Sequence, residues 1–305
     1  MMLQGTIVKA LSGFYYVEPD CASPDGIGAR DGCHQTSFQC RARGIFKKEG
    51  RSPLVGDAVR FEPTEDIEVE GVVTDILPRR NAFVRPPIAN IDVFVAVVSV
   101  RSPAPNLEVL DRFLATAEAQ DTDALICVNK TDLGTAGRLV RVYGDIYPVL
   151  PVCAVTGEGI DALRARTKGR RAAFAGPSGV GKSSLINRLL GEGNVQTGEI
   201  SARTGRGKHT TRHVEILKTE YGAELFDTPG YTSFEGVALE ETEVSSLFPE
   251  FAAHAESCRF DDCRHADEPG CAVRSALSAG RIAESRYRSY VRMLEEARSR
   301  NAWEG

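Results

Sequence analysis

The chain changes its hydrophobic rhythm twice. From Leu3 to Leu77 it runs in short β-rich stretches between turn residues. Thr6-Ile7-Val8-Lys9 and Phe14-Tyr15-Tyr16-Val17 flank a Ser12-Gly13 turn, and Arg41 to Lys47, Ala58 to Phe61 and Gly71 to Ile76 follow. Five short strands predict a small closed barrel, for which the OB-fold is the commonest five-stranded solution. Pro78 to Pro87 then breaks the pattern with prolines and charges, as a linker does. Beyond it, Ile91 to Val100, Asp123 to Val128 and Arg171 to Ala175 are nearly continuous apolar runs of strand length. Amphipathic stretches beginning at Asn106 and Ser184 alternate with them, which predicts a parallel sheet covered by helices. Val237 to Phe251 and Arg281 to Arg300 read as helices. The expected architecture is therefore an N-terminal all-β barrel over 1–80, a central α/β domain over 81–235 and a mostly helical domain over 236–305.

Chemistry enters at the turns. Gly176-Pro177-Ser178-Gly179-Val180-Gly181-Lys182-Ser183 fits G-x-x-x-x-G-K-[ST], the phosphate-binding loop, between an apolar run and a helical one that opens at Ser184. Its glycines turn successive N–H groups toward phosphate oxygens, and the helix adds its positive end. Lys182 is expected at the β and γ phosphates and the Ser183 hydroxyl at Mg²⁺; a merely glycine-rich connection is the plainer alternative. Asn129-Lys130-Thr131-Asp132 closes a buried strand as N-K-x-D. A carboxylate at Asp132 accepts from both N1–H and the exocyclic amine of guanine, a match adenine lacks. Asn129 serves either the guanine O6/N7 edge or the tying of loops, and the Lys130 stem covers the base plane. Cys153-Ala154-Val155 stands where a second base loop, usually S-A-K, is expected, with the Ala154 N–H toward guanine O6.

Two further motifs concern the γ-phosphate. Asp227-Thr228-Pro229-Gly230 is D-x-x-G, in which Asp227 holds Mg²⁺ through water and the Gly230 N–H senses the phosphate. In Gly205 to His213, Thr210 or Thr211 completes the Mg²⁺ shell, Thr210 being favoured. Tyr231 follows D-x-x-G where a water-positioning glutamine is common. His209 is the substitute for orienting or deprotonating water; otherwise it is a solvated loop histidine. The base loops precede the phosphate loop, the reverse of the ordinary GTPase order. A circular permutation accounts for this, since joining old termini and opening new ones leaves the site intact.

Composition narrows the setting. At 305 residues, 42% apolar, 26% charged and net −5, this is a globular chain with no apolar stretch of membrane-spanning length and no leader pattern at its start, so a cytoplasmic location away from membranes is expected. There are eight cysteines. Cys258, Cys263, His265 and Cys271 give C-x₄-C-x-H-x₅-C, a full tetrahedral set for one structural zinc. His254 stays unassigned. Cys21, Cys33, His34 and Cys40 are spaced irregularly and read as loop residues and a buried strand cysteine. Arg41, Arg43, Lys47, Lys48 and Arg51 beside Phe46 form either an RNA-binding face or a solvated edge. Arg286, Arg288, Arg292, Arg298 and Arg300 divide in the same way, between ion pairs to Glu295 and Glu296 and contact with RNA.

A β-barrel, then N-K-T-D, G-x-x-x-x-G-K-S, G-R-G-K-H-T-T and D-T-P-G in that order, then C-x₄-C-x-H-x₅-C, resembles the ribosome small-subunit-dependent GTPase A family (RsgA, also called YjeQ or YloQ). The resemblance implies GTP hydrolysis to GDP and phosphate during late maturation of the small ribosomal subunit. It also implies contact with ribosomal RNA, Mg²⁺ accompanying GTP, and His209 as the switch histidine. A monomer is expected. The competing readings are a zinc-containing RNA-binding protein that uses nucleotide structurally, and a P-loop kinase or ATPase. No role attaches to the loop from Cys21 to Gln39.

Overall fold

The computed structural model describes residues 2–20, 37–64, 69–191, 214–228 and 240–304. His209, Thr210, Thr211, Gly230 and Tyr231 lie outside them, as do Cys21, Cys33 and His34. The elements in chain order begin with β1 (Leu3–Leu11), β2 (Phe14–Pro19), β3 (Phe38–Ala42), α1 (Gly44–Lys48), β4 (Ala58–Pro63), β5 (Gly71–Ile76), β6 (Ala82–Phe83) and β7 (Ile88–Ala89). There follow β8 (Val93–Ser99), α2 (Leu107–Glu118), β9 (Asp123–Asn129), α3 (Gly137–Tyr143), β10 (Val149–Pro151), α4 (Ile160–Thr167), β11 (Arg171–Ala175) and α5 (Lys182–Leu190). The last are β12 (Val214–Lys218), β13 (Glu224–Asp227), α6 (Pro249–Ala255), α7 (Ala272–Ser278) and α8 (Glu284–Glu304). They fall into two compact units: 1–92, 167–173 and 189–231 form the first, and 93–166, 174–188 and 232–305 the second.

In the first unit the five-stranded barrel closes as β1-β2-β3-β5-β4-β1, with β3 and β5 parallel and the other pairs antiparallel. Alternation along the strands places Ile7, Val17, Cys40, Val59, Phe61 and Val73 inside, fully shielded from solvent. Burial raises the Cys40 thiol to about 12, so it is an inert core residue. The expected strand from Arg41 to Lys47 is instead split. It ends at Ala42, where Arg43 N–H bonds Val73 O, and a single turn of helix then carries Phe46 inward to 6% exposure. Phe46 is thus removed from any stacking face. Arg41 lies over the Phe14 ring at 4.9 Å, and Arg43 pairs with Glu62 at 3.4 Å.

The predicted linker is folded. β6 and β7 form a short hairpin, and the Asn81 side chain both donates to and accepts from the Ile91 backbone at 2.9 Å. Arg79 grips the buried Asp57 carboxylate with two bonds of 2.7 and 2.8 Å. The same unit holds β13, parallel to the start of β11 and antiparallel to β12; β12 continues antiparallel onto β1.

In the second unit β10, β9 and β8 are parallel, and every residue of β8 is buried, as its unbroken apolar run requires. Register from Val93↔Asp123 to Ser99↔Asn129 sets Asn129 at the C-terminal end of β9, where open α/β sheets place their ligands. The C-terminal helices close over Phe248, Phe251, Tyr290 and Leu294, with Ala115 of α2 in the same cluster. The helix expected over 237–251 is not continuous. A 3₁₀ turn at Val244–Leu247 precedes α6, which restarts at Pro249 because proline fits a first helical turn but breaks an interior one. Among the described residues no helix is long and apolar enough to cross a membrane.

Candidate nucleotide site and metal cluster

The phosphate loop leaves β11 at Gly176, where a Cβ would stand 2.3 Å from Val97 O, so no larger residue fits. Lys182 opens α5, and its Nζ donates to Gly176 O at 2.5 Å and Pro177 O at 3.1 Å, which curls the ammonium back over the loop. Burial lowers its pKa. Val180 is buried while Ser183 and Ser184 are exposed on the first turn of α5.

Asn129 links loops through both ends of its side-chain amide. Its Nδ2 donates to Val180 O at 2.8 Å and its Oδ1 accepts from Ala154 N–H at 3.1 Å, so one buried side chain ties the phosphate loop to the second base loop. Gly181, at φ +96°, leaves room for this: a Cβ there would lie 2.3 Å from Asn129 Nδ2. The Ala154 N–H, expected at guanine O6, is the partner of Asn129 in this arrangement. Lys130, in left-handed backbone with φ 65°, reaches Ser102 O at 2.5 Å and Gly179 O at 2.7 Å, stretching its stem along the phosphate loop. The Thr131 hydroxyl donates to Val152 O at 3.1 Å. Asp132 is exposed, and the Cys153 thiol donates to its Oδ1 at 3.1 Å, the contact a serine hydroxyl would otherwise supply. Asp227 closes β13 in register with Glu215, and Thr228 beside it is buried.

One member of the site left no sequence signal. Arg188, in the last turn of α5, donates from Nε to Ala154 O at 2.9 Å and from Nη2 to Val155 O at 2.7 Å. An arginine on a helix surface looks solvated until the loop it clamps is in place.

Cys258, Cys263, His265 and Cys271 converge, their ligand atoms all within 4.8 Å of one another. His265 Nδ1 lies 3.5 Å from Cys258 Sγ and 3.6 Å from Cys271 Sγ. Bonds of about 2.3 Å to sulfur and 2.0–2.1 Å to nitrogen at tetrahedral angles give an edge of about 3.6 Å, so the spacing fits a zinc-sized ion. Ala272 N–H donates to Cys258 Sγ at 3.3 Å and Arg274 N–H to Cys271 Sγ at 3.4 Å. Burial lowers the pKa of His265, with Glu268 opposing, which favours the neutral ring a metal needs. The set is a Cys₃His cluster of metal-binding type.

The RsgA GTPase family model matches residues 76–237, and the RsgA N-terminal domain model matches 4–73. A small ribosomal subunit biogenesis GTPase RsgA of Geobacillus thermodenitrificans is 43% identical over 306 residues, covering 98% of this chain and 99% of the relative. The chain belongs to the RsgA family. An RsgA of Alkaliphilus metalliredigens is 40% identical over 299 residues, covering 97% and 98%. Among solved structures, YjeQ from Thermotoga maritima superposes with a TM-score of 0.76 at 32% identity, covering 97% of this chain and 99% of that one. YloQ, described as a circularly permuted GTPase, superposes at 0.73 with 35% identity, covering 98% and 96%. The permuted order read from the motifs is thus that of an RsgA fold: five-stranded barrel, central GTPase, C-terminal Cys/His cluster.

Proposed function

We propose that this RsgA-family chain binds GTP and hydrolyses it to GDP and phosphate during maturation of the small ribosomal subunit, acting in the cytoplasm as a monomer. The observation that carries the reading is the Asn129 bridge, which holds a guanine-type N-K-x-D loop, a second base loop and a phosphate loop in one constellation. The names of full-length relatives support the ribosomal setting.

In this reading Asn129, Lys130, Thr131 and Asp132 with Cys153 and Ala154 form the base pocket, Asp132 accepting the guanine donors. Gly176 to Ser184 cradle the phosphates, with Lys182 neutralising β and γ oxygens. Ser183, Thr210 and Asp227 are the Mg²⁺-side groups, Gly230 senses the γ-phosphate, and His209 positions the attacking water. Mg²⁺ would neutralise charge developing on the phosphate oxygens. Zinc held by Cys258, Cys263, His265 and Cys271 would staple the loop from 258 to 271. The division at 80/81 and 235/236 belongs to the same reading and is supported by family matches over 4–73 and 76–237. Ribosomal RNA is the expected surface on the subunit. Competition of GDP and ADP for a fluorescent guanine nucleotide, with co-sedimentation on purified small subunits, tests it. Displacement by GDP alone and GTP-dependent sedimentation are expected; equal displacement by ADP, or no sedimentation, would overturn it.

A further inference from the structure

α8 presents arginines whose fates differ. Arg286 is fully buried, Arg292 is paired with Glu108, and Arg298 pairs with Glu241 at 2.6 Å. Arg288 is exposed and has no ion pair among the described residues, and the same holds for Arg138 on α3. Both line a groove of about 460 Å³ formed by the start of α2, α3 and α8. Arg292 and Glu108 line it as well, and that carboxylate is already engaged by Arg292 and by Arg112 at 3.4 Å. A chain of net charge −5 therefore concentrates three guanidinium groups against one neutralised carboxylate in a single concavity. The N-terminal end of α2, twelve residues long and capped by Asn106 at 3.3 Å, faces the same groove. Its first-turn N–H groups at Leu107 and Glu108 have no internal helical partner.

We propose that this groove binds the phosphodiester backbone of RNA. The guanidinium groups of Arg138 on α3 and Arg288 on α8 can fork onto successive phosphate oxygens, and Ser285 adds a hydroxyl. Among the described residues no aromatic side chain lines the groove, so they offer no stacking platform and the groove holds phosphates rather than bases. The proposal rests on the reading of ribosomal RNA as this protein's partner. It separates four of the α8 arginines: Arg288 faces RNA, Arg286 is buried, and Arg292 and Arg298 are paired with Glu108 and Glu241.

The test is the salt dependence of binding by the full chain, comparing Arg138→Gln/Arg288→Gln with the parent and with Arg281→Gln, an exposed arginine that does not line the groove. Removing two phosphate contacts should weaken binding to purified small subunits about tenfold or more near 0.1 M salt and lower the log–log salt slope by about 2. Fluorescent GDP affinity and the thermal midpoint should not change. Poly-uridylate and inorganic polyphosphate serve as second ligands. If the parent binds poly-uridylate but not subunits, and the double variant loses poly-uridylate, the groove stands and the ribosomal reading falls. Parental affinity and slope in the double variant on both RNA ligands, or an equal loss in Arg281→Gln, would overturn the groove. A parent that binds neither RNA, or a loss confined to polyphosphate, would overturn it too.

Discussion

Arg286→Met probes the network that fastens α8 to α2. The guanidinium donates to Glu250 at 2.7 and 3.0 Å and to Asp111 at 2.9 Å, and lies 4.6 Å from the Phe248 ring centre. Arg286 and Asp111 side chains are 0% exposed and Glu250 10%. Burial works against the charge on Arg286, but Glu250 and Asp111 outweigh it and hold its pKa above the ordinary arginine value. Methionine fills similar volume without the charge, leaving two carboxylates close together in a dry site. Breaking a buried pair from one side costs about 3–5 kcal/mol, which for a body of this size lowers the melting midpoint by about 6–20 °C. The cost depends on pH in a known direction. Burial already raises the pKa of Asp111, and without Arg286 the folded variant retains a proton that the unfolded chain releases near pH 4. The folded state then binds more protons, so the variant loses stability as pH rises, and its deficit is larger at pH 8 than at pH 5.5. Thermal and urea melts at both pH values measure this. The triple change Arg286→Met/Asp111→Asn/Glu250→Gln should recover much of the loss, because no charge is left unpaired. A midpoint within about 2 °C of the parent, or a deficit that grows toward acid, would refute the reasoning.

The nucleotide and metal sites give further tests. Arg188→Ala removes the clamp on the Ala154 and Val155 carbonyls and should speed release of fluorescent GDP about tenfold, with Arg188→Lys intermediate; identical release rates would dismiss the clamp. Gly181→Ala places a methyl 2.3 Å from Asn129 Nδ2 and should weaken GDP binding at least tenfold while the barrel still folds, as titration and circular dichroism report. Asp132→Asn should shift preference from guanine toward xanthine nucleotides, since it reverses a donor–acceptor match; unchanged GTP selectivity would remove the base assignment. Cys258→Ser should lower metal content and the melting midpoint, and full zinc with normal melting would contradict the site.

What the chain discloses by itself follows from how far each constraint reaches. N-K-x-D, the phosphate loop and the Cys₃His spacing are dictated by ligands of fixed geometry, so short spacings betray them. The barrel strands announce themselves by alternation, because one face of each must be buried. The burial of Arg286 is hidden in the sequence for the opposite reason. Along α8 it reads like Arg288 and Arg292, and only the packing of α2 and α6 around it decides that it is a buried cation. Arg188 depends likewise on a loop some thirty residues away. The Arg41 to Lys47 run has strand composition, yet the connection between β3 and β4 bends it into a helical turn that sinks Phe46.

If this permuted GTPase works on the small ribosomal subunit, its turnover must respond to that particle. GTP hydrolysis by the full chain is measured alone, with purified small subunits and with large subunits. Slow intrinsic hydrolysis and a stimulation of at least tenfold by small subunits are expected, with large subunits inactive. Equal rates in all three conditions would contradict it.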